Sequence, residues 1–135
     1  MDAIIDIPEQ LYYTPSHGWV HVGFSGEATI GITRFGYELV GEVDSIALPI
    51  VGDKVVAQQP CIVLESSKVV CDILAPVTGV VTGINSELVE DCTQLNQRPS
   101  ATWLVRIRMS SPSETRELLD FRAYRRLIEA AEFPA

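Results

Sequence analysis

Two short runs rich in β-branched residues, Cys61 to Leu64 and Val69 to Leu74, flank the segment Glu65-Ser66-Ser67-Lys68. Runs of this length and composition predict strands, and the two serines supply turn chemistry just before the lysine, so the segment reads as a β-hairpin with Lys68 at its tip. Ala75-Pro76-Val77-Thr78-Gly79 follows, a tight turn in which Gly79 is expected to take a positive φ. Lys68 is one of two lysines, the other being Lys54, among 10 basic side chains. A lysine at an exposed turn is ordinarily a solubilising charge. A lone amine on a stiff tip also meets the needs of covalent attachment of a prosthetic arm: an accessible nucleophile, little backbone freedom and no neighbouring lysine to be modified in error.

The rest of the chain is consistent with a small β protein. Residues 1 to 16 read as an irregular or partly extended arm broken by Pro8 and Pro15. Trp19 to Phe24 and Ala28 to Thr33 predict a hairpin around Ser25-Gly26. Arg34 to Leu39 predicts a short helix, with Phe35 and Leu39 on its inner face by their i, i+4 spacing. Glu42 to Leu48 alternates as a half-buried strand ended by Pro49, Val51 to Val55 is a turn into a strand, and Glu87 to Asp91 a single helical turn. Thr102 to Met109 predicts a strand with Trp103, Val105, Ile107 and Met109 on one face and Arg106 and Arg108 on the other. Ser111-Pro112-Ser113-Glu114 carries an N-cap serine, a proline at the first helical position and a glutamate at the third. Leu118, Phe121, Tyr124, Arg125, Leu127 and Ile128 then share a helical face, with a break expected at Leu119-Asp120. The expected fold is mainly β, a flattened barrel/sandwich hybrid with a short internal helix and a C-terminal helix. It forms one domain over residues 1–135, long enough to bury about two-thirds of its unfolded surface.

Charge and composition narrow the function classes. A formal charge of −8 argues against nucleic acid or an anionic membrane as partner; it suits a small monomeric protein that docks on cationic patches of larger enzymes. No stretch approaches the roughly 20 apolar residues of a membrane span, and the acidic opening Met1-Asp2-Ala3-Ile4-Ile5-Asp6 does not resemble a secretory signal, so the expected location is the cytoplasm. His17 and His21 would form a metal pair only on a helix; Gly18, Trp19 and Val20 favour a strand, and no cysteine or carboxylate completes a site. Tyr12, Tyr13 and Trp19 read as packing aromatics. Cys61, Cys71 and Cys92 lack metal-ligand spacing; Cys61 reads as core, and Cys71, three residues past Lys68, as a half-buried filler or a thiol able to exchange with a disulfide nearby. No convergent acid, base or nucleophile set suggests an independent enzyme.

Glu65-Ser66-Ser67-Lys68 with Ala75-Pro76-Val77-Thr78-Gly79 resembles the lipoyl-attachment segment of the glycine cleavage H protein. The similarity extends from about Leu11 to Ile128 through Tyr13-Thr14-Pro15-Ser16-His17-Gly18-Trp19, Ile30-Gly31-Ile32-Thr33, Glu38-Leu39-Val40-Gly41-Glu42-Val43 and Leu48-Pro49-Ile50-Val51-Gly52. The resemblance implies a non-catalytic carrier with lipoate amide-linked to Lys68, Glu65 as a recognition point for the lipoate-protein ligase, and dihydrolipoyl dehydrogenase as a partner. It also implies a cleft for the arm in which Gly18, Phe35, Cys71 and Asp72 are candidate residues. Here the chain departs from the family pattern: Gly18 stands where glutamate is usual, Phe35 where histidine is usual, and Ser100-Ala101-Thr102 replaces a glycine pair before Trp103, while Asp72 is retained. Such departures resemble the lipoate-binding proteins that work with a heterodisulfide-reductase-like complex in sulfur oxidation. Shuttling of sulfur intermediates is therefore the leading expectation, glycine cleavage the alternative, and lipoate relay to other proteins a third.

Overall fold

The computed structural model describes residues 8–132; the first half of the expected N-terminal arm lies outside them. Among these residues nine strands form two antiparallel sheets. The larger has the order β1 (Tyr12–Tyr13), β2 (Gly18–Val22), β3 (Glu27–Ile32), β9 (Val105–Met109), β8 (Gly79–Ile84) and β5 (Lys54–Val55); the smaller has β4 (Val43–Ala47), β6 (Pro60–Ser66) and β7 (Val70–Leu74). Among the described residues four α-helices, α1 (Arg34–Val40), α2 (Glu87–Glu90), α3 (Thr93–Gln97) and α4 (Phe121–Glu132), lie between and after the strands. This is the expected mainly-β hybrid, as two facing sheets and not a closed barrel. Among the described residues no helix is long and apolar enough to cross a membrane.

A core that includes Val20, Ile30, Leu64, Val77, Leu104 and Ile107 draws on both sheets, and a second cluster gathers Tyr13, Trp19, Tyr124 and Ile128. Each such side chain contributes about 1.5–3 kcal/mol on full burial. The ion pairs Arg34–Glu38 and Arg125–Glu129 are exposed i, i+4 contacts, worth about 0.3–0.5 kcal/mol apiece, so apolar burial dominates the balance.

Several local expectations are corrected by tertiary contacts. In α1 the inward pair is Gly36 and Val40, whereas Leu39 is 54% exposed; the helix rotates because Gly36 is pressed against His17 and Ile32, where a β-carbon would have no room. In β4 a register shift between Val43 and Ser45 breaks the alternation, so Val43 and Ile46 both point inward. β9 begins at Val105, not Thr102; Trp103 lies ahead of it, with the Arg106 guanidinium 4.1 Å from the centre of its ring. Ser111 makes no side-chain cap, and Pro112–Glu117 is a 3-10 turn. Glu114 instead accepts from Thr78 N–H and Oγ1–H at 2.8 and 2.9 Å. The break at Leu119-Asp120 is present, and Asp120 caps α4 by accepting from Ala123 N–H. Gly79 does not take a positive φ. It is needed because a β-carbon there would collide with the Arg108 carbonyl across the β8–β9 ladder.

Candidate functional site

The β6–β7 hairpin pairs Glu65 with Val70, Leu64 with Cys71 and Val63 with Asp72. Leu64 faces the core, while Glu65, Ser67 and Lys68 are exposed. Ser66 is the anchor between them, only 8% exposed. Its hydroxyl accepts from Lys68 N–H at 3.2 Å and Val69 N–H at 3.1 Å, and its single proton goes to Val40 O at 2.7 Å. Three bonds at one oxygen thus close the turn and tie it to the end of α1. Directly beyond, Gly41 ends the helix at φ 86°, a left-handed conformation that suits glycine. A β-carbon there would lie 3.9 Å from Lys68 Cε, so the lysine stem passes over the helix end.

Beside the tip is a cleft of about 250 Å³, whose wall includes His17, Leu39, Val40, Val69, Cys71 and Asp72. Leu39 and Val40 immediately precede Gly41 and Val69 follows Lys68, so the base of the lysine side chain is next in the chain to residues of the cleft wall. Of the residues expected in this cleft, the structure brings Cys71 and Asp72 to its wall and leaves Gly18 and Phe35 off it. Gly18 is buried in β2 against Thr14, whose Oγ1 accepts its N–H at 2.9 Å. The Phe35 ring backs His17 with centroids 4.8 Å apart and belongs to the aromatic cluster. Glu65 is on the outward face of the hairpin, paired with Ser45 of β4 on its other side.

His17 was not singled out for this cleft from the sequence, and it is the most constrained side chain there. Its backbone is left-handed at φ 72°, its Nδ1 lies 2.9 Å from Tyr124 Oη, and Tyr124 Oη lies 2.7 Å from Thr33 Oγ1. Burial lowers the His17 pKa and pushes Tyr124 up to about 12, so both are neutral near pH 7. The Cys71 thiol is pushed up by burial and then by the Asp72 carboxylate, which disfavours the thiolate. Cys61 rises to about 11 for similar reasons, with Asp53 as the neighbouring charge. Cys92 is buried and donates to Leu88 O. Among the described residues no group of three His, Cys, Asp or Glu side chains is placed to hold a metal; His21 stands exposed on β2, apart from the His17 turn.

An exposed lysine on an anchored β tip, beside a mostly apolar cleft, has the geometry of a carrier domain for a flexible prosthetic arm. Comparison with known proteins makes this specific. The glycine cleavage H-protein family model matches residues 11–131. The glycine cleavage system H protein of Nitrosospira multiformis is 38% identical over 128 residues, covering 95% of this chain and 99% of its own. That of Aeromonas salmonicida is 39% identical over 124 residues, covering 91% and 96%. The crystal structure of the glycine cleavage system H protein from Mycobacterium marinum superposes with a TM-score of 0.80 at 29% identity, covering 93% of this chain and 98% of its own. The chain belongs to the glycine cleavage H-protein family, a family of non-catalytic lipoyl carriers.

Proposed function

We propose that Lys68 carries lipoate in amide linkage and that the protein ferries the aminomethyl group from glycine decarboxylase to aminomethyltransferase, the dithiol left after unloading being reoxidised by dihydrolipoyl dehydrogenase. The observation that carries this reading is Lys68 itself, exposed, anchored through Ser66 and next in the chain to Val69 of the cleft wall. The bound group supplies the redox and transfer chemistry, a dithiolane that opens to a dithiol. The protein's part is to hold the base of the arm still, leave its end free, and offer a cleft in which the end can rest. Leu39, Val40 and Val69 suit the hydrocarbon stretch of such an arm. Asp72 is the carboxylate available to a loaded amine, and Glu65, outward on the same hairpin, is the contact for the lipoate-protein ligase. Gly79 serves the scaffold.

This reverses the order of expectation from the sequence, in which sulfur oxidation led. Coverage of nearly the whole of the glycine cleavage relatives at 38–39% identity supports glycine cleavage more strongly. A second reading, the carrying of sulfur intermediates to a heterodisulfide-reductase-like complex, is favoured by one observation: a thiol, Cys71, sits in the cleft wall with a single carboxylate beside it. Reconstitution decides between them. Lipoylated protein mixed with glycine decarboxylase and aminomethyltransferase should sustain glycine turnover; failure to do so, with Lys68 shown by mass to be lipoylated, would favour the sulfur reading.

A further inference from the structure

The chain of hydroxyls behind His17 has only one arrangement that leaves no proton without an acceptor. Thr33 Oγ1, the N-cap of α1, accepts from Gly36 N–H at 3.1 Å. Thr33 is 3% exposed, and its one other side-chain partner is Tyr124 Oη at 2.7 Å. If Tyr124 donated to Thr33, the buried threonine proton would have nowhere to go, and an orphaned buried donor is costly. The order that satisfies every group runs from Gly36 N–H to Thr33 Oγ1, from Thr33 O–H to Tyr124 Oη, and from Tyr124 O–H to His17 Nδ1. Nδ1 is then an acceptor, and in the neutral ring the proton resides on Nε2. Tyr124 is itself held by a parallel stack on Tyr13, centroids 4.7 Å apart with 7° between the planes. Phe35 supports the other side of the His17 ring, which leaves Nε2 as the polar atom of this side chain available to the cleft it lines.

We propose that His17 is a fixed hydrogen-bond donor in the cleft wall, presenting Nε2–H to a sulfur at the free end of the arm, and that Thr33 and Tyr124 are positioning residues that lock its tautomer. The proposal rests on the lipoyl reading of Lys68 for the identity of the acceptor but not for the tautomer. It gives the cleft two polar characters: a donor at His17 for an electron-rich sulfur and an acceptor at Asp72 for an amine.

The test is long-range proton–nitrogen NMR of the two histidine rings in labelled protein near pH 7.5, assigned through His21→Gln. In unlipoylated protein His17 should show a protonated Nε2 and a hydrogen-bonded, unprotonated Nδ1. In Tyr124→Phe the Nδ1 resonance should move toward that of a free acceptor. An Nδ1–H pattern in the wild type, or an unmoved Nδ1 in Tyr124→Phe, would overturn the lock. In lipoylated protein the His17 Nε2–H signal should shift on loading and again on chemical reduction of the arm, while His21 stays put. Indifference of that signal to reduction would overturn the sulfur contact. Intact mass run on the same samples keeps failure of lipoylation distinct from failure of either contact.

Discussion

The tips of the β2–β3 and β6–β7 hairpins are built differently. The β2–β3 turn is closed by the backbone bond from Gly23 N–H to Glu27 O and tied to β9 by another, from Met109 N–H to Gly26 O, with Gly26 at φ 79°. It holds up Phe24, wholly exposed. The β6–β7 turn also has a closing backbone bond, from Ser66 N–H to Val69 O, and in addition buries a side-chain hydroxyl, that of Ser66, which binds the turn to α1. A turn that continues a sheet can be tied to the next strand by a backbone bond, as Gly26 is to Met109. The β6–β7 tip meets a helix end instead, and its tie comes from a buried side-chain hydroxyl.

The largest expected effect separates the tips by function. Lys68→Arg keeps the charge and the backbone bond to Ser66 but should abolish lipoylation entirely, seen as loss of the added mass after expression with the native ligase. Melting should stay within about 0.5 kcal/mol of wild type, as for exposed substitutions generally. An added mass persisting in that variant would place the arm elsewhere, and the comparison would lose its point.

Next, Ser66→Ala should cost about 1–3 kcal/mol by leaving buried backbone groups unpaired, with faster hydrogen exchange at Val69. Ser25→Ala, at the other tip, should be silent in urea unfolding. Equal costs at the two serines would mean the Ser66 tie is ornamental.

The cleft side of the comparison has a pH signature. The folded pKa of His17 is lowered by burial, so the unfolded chain binds the proton first as pH falls. The contribution of His17 to stability is full above about pH 6.5, its ordinary value, and is lost as pH drops through and below that value. Urea midpoints measured from pH 7.5 to pH 5 should fall less steeply in His17→Asn, which tolerates the left-handed backbone. Parallel slopes would remove His17 from the account. The smallest effect is at the free tip: Phe24→Ser should change stability by no more than about 0.5 kcal/mol, and a larger loss would show that tip to be packed in solution.

How much of this was legible in the sequence varies with the range of the contacts. The Lys68 hairpin, the β2–β3 hairpin, α1 and the break before α4 were readable because each follows from residues a few positions apart. Lys68 stood out as a lone amine between strand-forming runs; Cys71 followed from its nearness to it, and Asp72 from the family resemblance alone. The misplacements share a cause. Phe35 and Leu39 have helical spacing, but Gly36 packing on His17 turns the helix the other way. Ser111-Pro112-Ser113-Glu114 has the letters of a capping box, but Glu114 is drawn off to Thr78, 36 positions away. Gly18 looked like a gap in the cleft only because its neighbour His17 is the residue that faces it.

The amino-acid sequence by itself determined a small β scaffold and one amine at a hairpin tip, since turn chemistry and strand patterning act over a few residues. Only the tertiary structure decided what stands around that amine. Ser66 reaches Val40 across 26 positions and His17 reaches Tyr124 across 107, and hydrogen bonds of that range exist only once the packed core has fixed the distance between their partners.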